Sequence, residues 1–100
     1  MQSLNNAQKK YLRGLANTLK PQIIIGKNGL SEPVIKSIDE ALTAHELVKI
    51  KYNEFKEDRA ELNQEIVSQC QCHLIGDVGH TALIYRQHPD PDERTINLPK

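Results

Sequence analysis

Between residues 23 and 52 the hydrophobic pattern changes period twice, and this restricts the fold more than any other feature of the chain. Ile23, Ile24 and Ile25 form a continuous apolar run, so Gln22 to Ile25 read as a short strand in the middle of a sheet. Val34, Ile35, Ile38, Ala41 and Leu42 then recur at three- and four-residue spacing, the stripe of a helix reaching about His45. Ser31 is its expected N-cap, with Glu32 and Pro33 in the favoured first turn. LVKIKY, 47–52, alternates with period two: Val48, Ile50 and Tyr52 take one face, Leu47, Lys49 and Lys51 the other. Strand, helix and strand in this order make a βαβ unit, whose two strands pair in parallel through a right-handed crossover.

The flanks complete the pattern. Residues 4–19 carry Leu4, Ala7, Tyr11, Leu12, Leu15, Ala16 and Leu19 at helical spacing, with Ser3 or Asn5 as N-cap. Tyr11 lies on this stripe and is assigned to the core. Gly14 inside the helix costs about 1 kcal/mol relative to alanine, which points to a neighbour packed close. Lys9, Lys10 and Arg13 fall off the stripe. Residues 53–61 are polar and acidic and open a third helix that runs to about Cys70. HLIGD (73–77) and TALIYR (81–86) read as a hairpin turning at Val78, Gly79 and His80. From about 88 to 100 the proline-rich end is expected to run extended over the surface, with Ile96 and Leu98 docked. The order α-β-α-β-α-β-β predicts a single α/β domain over 1–100 with a four-stranded mixed sheet, in which strands linked by helices are parallel neighbours and the final hairpin adds an antiparallel strand. One arrangement puts the helices mainly on one side, leaving Lys49 and Lys51 on an open face.

Composition bounds the function. With 38% hydrophobic and 26% charged residues the chain has the make-up of a globular domain. No apolar run approaches the roughly 18 residues that cross a bilayer, and the first residues carry no apolar signal segment. Two cysteines, Cys70 and Cys72, supply no disulfide framework. The expectation is a monomer of the reducing cytosol, with no membrane partner. The net charge of zero conceals an asymmetry: residues 1–52 hold eight Lys or Arg and four acids, residues 53–100 five and nine. A basic face and an acidic face follow, unless solvated helices merely differ in composition.

The loop Gly26-Lys27-Asn28-Gly29 joins the first strand to the second helix. Backbone amides and a helix N-terminus favour a phosphate there, and Lys27 adds a mobile charge. The spacing is not that of a Walker loop or a dinucleotide fingerprint. A G-x-x-G loop is the device with which KH domains clamp about four nucleotides of backbone. A plain βα turn needs glycines as well, and both readings stand on these residues alone. Lys49 and Lys51 read either as nucleic-acid contacts or as solubilising residues, and Arg86 either as a contact or as the partner of an acid.

Cys70, Cys72, His73 and His80 raise a metal site, but zinc spacing requires pairs two to four residues apart, and buried thiols packing as small hydrophobes fit better. His45 reads as a partner of a helix C-terminus. No nucleophile or acid–base pair stands out, so neither an enzyme nor a cofactor is expected. Tyr11, Tyr52, Phe55 and Tyr85 are too few for a base-stacking sheet.

LRGLANTLKPQIIIGKNGL, ALTAHELVKIK, the IG at 75–76, LIYR and the terminal INLP together resemble the CRM domain (chloroplast RNA splicing and ribosome maturation), closest to its bacterial stand-alone YhbY type. The resemblance spans about residues 4–99. It implies a fold related to the C-terminal domain of translation initiation factor three. It also implies RNA binding through the G-x-x-G loop and adjoining basic surface, association with precursors of the large (50S) ribosomal subunit and, in plant organelles, group II intron splicing. The matching positions are Gly26, Lys27, Asn28 and Gly29, with Lys20, Lys49, Lys51 and Arg86 as the recurrent basic residues. Cys70-Gln71-Cys72 and the acidic GDVG depart from the pattern, and Asp77 argues against a phosphate contact at that turn. The expected function is contact with ribosomal RNA during large-subunit assembly. The alternative is an adaptor docking ribosomal proteins through the acidic second half, especially Glu54 to Glu65.

Overall fold

A computed structural model describes residues 3–27, 29–53 and 58–99; Asn28, Glu54 and Phe55, named above, lie outside the described residues. The elements are α1 (Asn6–Ala16), β1 (Ile23–Ile25), α2 (Glu32–His45), β2 (Leu47–Tyr52), α3 (Arg59–Cys70), β3 (His73–Val78) and β4 (Thr81–Tyr85). A short 3-10 turn, Pro91–Glu93, interrupts the tail. The four strands form one mixed sheet in the order β1-β2-β4-β3. β1 runs parallel to β2 as expected, but the strands joined by α3 are not neighbours: β4 stands between β2 and β3 and runs antiparallel to both.

Local chemistry sets the ends. Asn5 caps α1 in a capping box: its side chain accepts the Gln8 N–H at 2.8 Å, and the Gln8 side chain accepts the Asn5 N–H at 3.0 Å. The helix stops at Ala16, short of Leu19. The Thr18 hydroxyl and the Leu19 N–H bond to the Leu15 and Ala16 carbonyls, closing the last turn with tighter bonds. At α2, Ser31 is the N-cap and its hydroxyl accepts the Val34 N–H at 3.4 Å.

Alternation in the strands supplies two cores. Val48, Ile50, Tyr52, Ile25, Ala82 and Ile84 face α2 and α3, and meet Ile38, Leu42, Ile66, Cys70 and Cys72. Both thiols are free and buried. The opposite face is not bare, as one arrangement had it. Leu47, Ile75 and Tyr85 pack against Leu12 and Ala16 of α1, so the first helix stands apart from the other two. Ile96 and Leu98 of the tail dock there, as expected.

Three further expectations are corrected. β1 is an edge strand, with Ile24 58% exposed, because only Ile23 and Ile25 turn toward the helices. Tyr11 is 42% exposed, since the sheet buries the narrower Leu12–Ala16 line of the stripe. A Cβ on Gly14 would meet nothing within 4 Å. The close approach occurs at Gly76 instead, where a Cβ would stand 3.5 Å from Cδ of Arg13. Finally, the tail is tied down by a residue that nothing in the sequence marked. Glu46 is 1% exposed and accepts the N–H groups of His88 (2.9 Å), Thr95 (2.6 Å) and Ile96 (3.1 Å), together with the Thr95 hydroxyl (3.1 Å). Burial works to raise its pKa, but these hydrogen bonds together hold it below the ordinary 4.5.

Candidate nucleic-acid interface

Three rows of side chains cross the sheet on the α1 face. Leu47 and Tyr85 form the first, and α1 and the tail cover it. Lys49, Leu83 and Gly76 form the second, half covered by α1. The Lys49 Nζ donates to the Leu19 carbonyl at 3.2 Å, and the Arg13 side chain crosses Gly76 to donate to the Ile75 carbonyl at 3.2 Å. The third row is Ile24, Lys51, Thr81 and Val78, one residue from each strand in register. Ile24, Lys51 and Val78 are exposed. This open row lies at the end of the sheet where β1 runs into the glycine loop.

That end is knitted together by backbone bonds. The Asn53 N–H donates to the Ile25 carbonyl at 3.0 Å, and the Tyr52 N–H to the His80 carbonyl at 2.7 Å. The β1–α2 loop, the end of β2 and the β3–β4 turn are thereby held side by side. Beneath them the Tyr52 hydroxyl donates to Asn63, whose amide donates to Asp77 at 3.2 Å, and Arg59 pairs with Asp77 at 3.1 Å. Asp77 therefore turns to α3, on the face away from the open row, and its charge is met there.

The loop itself is a closed turn. The Gly29 N–H donates to the Gly26 carbonyl at 3.1 Å, and the Ser31 N–H to the Gly29 carbonyl at 3.2 Å. Hence fewer amides face outward than two glycines suggest. The α2 start is also less receptive to an anion than its dipole alone implies, because Ser31 occupies the Val34 amide, Pro33 has no N–H, and Glu32 places a carboxylate in the first turn. The two glycines are not equivalent. Gly29 has φ 64°, which a side chain resists. Gly26 has no such angle, and a Cβ there would meet nothing within 4 Å, so the turn does not demand glycine at that place. What glycine leaves at 26 is bare backbone beside the exposed Lys27.

The structure brings Lys27, Lys49 and Lys51 to the β1 side of the sheet. Lys20, exposed, precedes β1 as Lys27 follows it, so the two bracket a strand about 10 Å long. Arg86 is not brought to this face. It follows Tyr85 out of β4 on the α2 and α3 side, where its guanidinium donates to Asp39 (2.6 Å), Thr43 (3.0 Å) and the carbonyls of Asp39 and Cys70. Arg13 is the residue that sequence reading left unassigned, and its position off the helix stripe was the available signal.

Cys72 is pushed up to about 12 by burial first and by its neighbour Cys70 second, and burial also raises Cys70. Among the described residues no group of three His, Cys, Asp or Glu side chains is placed to hold a metal ion, and no helix is long and apolar enough to cross a membrane.

Residues 4–86 match the model of the CRS1 / YhbY (CRM) domain. The chain is 35% identical over 97 residues to a probable RNA-binding protein of Pseudomonas aeruginosa, across 96% of this chain and 93% of that one. It is 35% identical over 101 residues to an RNA-binding protein of Haemophilus influenzae, across 100% and 99% of the two chains. A Staphylococcus aureus protein solved in solution, described as a candidate RNA binder, superposes with a TM-score of 0.79 at 35% identity, across 97% of this chain and 100% of that one. These relatives carry names for RNA binding and not for an enzymatic reaction.

Proposed function

This chain belongs to the CRS1/YhbY (CRM) domain family, and on that premise we propose that it is a non-catalytic RNA-binding protein that contacts ribosomal RNA during assembly of the large ribosomal subunit. The names of its relatives support RNA as the ligand. Ribosomal RNA and the assembly role extend that reading to the class of large, phosphate-rich particle on which a small cytosolic protein of this family would act.

The observation that carries the proposal is the pairing of unobstructed backbone at Gly26 with exposed Lys27, beside Lys51 on the open row. A phosphate can approach the Gly26 backbone because no side chain stands over it, while the Lys27 ammonium supplies the charge. Gly29 closes the turn that presents both. Lys51, Lys49 and Lys20 extend the contact along β1, with Lys49 contributing those of its three donors that Leu19 does not hold. Arg86 belongs to the scaffold.

Gradient sedimentation of cell extract tests this. The wild-type protein should travel with large-subunit precursors and return to the top after nuclease treatment, and a Lys27→Glu, Lys51→Glu variant should stay at the top throughout. A protein that remains on its partner after nuclease treatment would be an adaptor for ribosomal proteins instead.

A further inference from the structure

The open row is more apolar than a solvated sheet edge has reason to be. Edge strands are ordinarily blunted by charge on their outward positions. On the face of the open row the position supplied by each edge strand is aliphatic: Ile24 of β1 is 58% exposed and Val78 of β3 is 74% exposed, while the charged Asp77 of β3 turns to the other face. Between them stand Lys51, exposed, and Thr81, whose hydroxyl is committed to the Val78 carbonyl at 2.8 Å. Across four strands the row spans about 14 Å. The Arg13 and Lys49 side chains lie along the next row, and Lys27 follows at the end of β1.

We infer that this row is a base-contacting platform for single-stranded RNA. Ile24 and Val78 meet unstacked bases or riboses, while Lys51, Lys27 and Arg13 meet the phosphates on either side. The inference rests on the RNA-binding reading above and deepens it by naming the form of RNA. Cations interleaved with aliphatic surface complement a strand whose bases are turned out, and a duplex keeps those bases stacked inside. Because Ile24 and Val78 offer no hydrogen bond to a base edge, their contact tolerates any base and adds affinity without reading sequence.

Fluorescence anisotropy with a labelled single-stranded oligoribonucleotide of about twelve nucleotides, and with the same strand in a duplex, tests the inference. Ile24→Thr with Val78→Thr keeps both positions β-branched, so the strands and the melting temperature should hold. The double variant should bind the single strand about fivefold more weakly through lost apolar contact, with an unchanged salt slope and unchanged duplex affinity. Val78→Tyr, which adds a stacking surface at an exposed position, should tighten single-strand binding severalfold. Equal binding by wild type and the double variant, or an equal loss on the duplex, overturns the inference alone. So does an unchanged RNA affinity accompanied by loss of a protein that the wild type captures. A wild type that binds neither RNA defeats the RNA-binding reading itself.

Discussion

Arg86 holds the Asp39 carboxylate at 2.6 Å while also donating to the backbone carbonyl of Cys70 at 2.8 Å. One guanidinium thus joins the middle of α2 to the end of α3. The bond to Asp39 is partly exposed and contributes under about 1 kcal/mol by itself, but the carbonyl left without its donor adds to the loss. Arg86→Ala should lower stability by about 1–2 kcal/mol in urea unfolding while leaving the salt dependence of RNA binding as in wild type. A reduced salt slope with unchanged stability would return Arg86 to the RNA contact.

Glu46 should make stability depend on pH. Its folded pKa is lowered, so its contribution is fully present above the unfolded value near 4.5 and is lost as pH falls through the folded value. Melting temperature should therefore fall steeply on acidification below about pH 4.5, with the tail after residue 87 the first segment cut by protease. Glu46→Ala leaves three backbone N–H groups without their acceptor and should cost about 3 kcal/mol at pH 7. Glu46→Gln should flatten the acid limb of the melting curve.

Cys72, held up near 12 by burial, should resist thiol reagents at pH 8 in the native protein and react at once in guanidinium, with Cys70 close behind. Absorbance with a disulfide reagent measures both. Fast native labelling would mean that the helix end over these thiols opens readily.

The glycines of the loop separate turn from site. Gly29→Ala should cost about 1 kcal/mol, because its backbone is left-handed. Gly26→Ala should melt as wild type does yet bind RNA more weakly, because the new methyl stands where a phosphate approaches. If Gly26→Ala binds as wild type, Gly26 takes no part in the contact.

The element order and the alternation of β2 were legible because each rests on local periodicity. LVKIKY alternates, but the side that carries the lysines also carries Leu47, which α1 buries, so that side is open only at Lys51. Three isoleucines in a row could not reveal that β1 lies at an edge, because a strand that short shows the same pattern with Ile24 outward or inward. Nor does the stripe of a helix say which face of a sheet it covers, so the position of α1 was open until Leu47 and Tyr85 were seen against Leu12. Arg86 matched the basic pattern, but it leaves β4 on the α2 and α3 side. Glu46 meets Thr95 across 49 residues, and no local signal carries a contact of that range.

The most direct test of the account is the salt dependence of binding to a labelled large-subunit ribosomal RNA fragment, for wild type and for Lys27→Asp with Asn28→Asp. Each phosphate contact adds about 0.9 to the log–log slope on duplex RNA taken as on DNA, and less on single strands. The account predicts a wild-type slope of a few units that drops by about one in the variant, with melting temperature unchanged. Equal slopes and affinities in two folded proteins would contradict it, and would leave the glycine loop as a turn and nothing more.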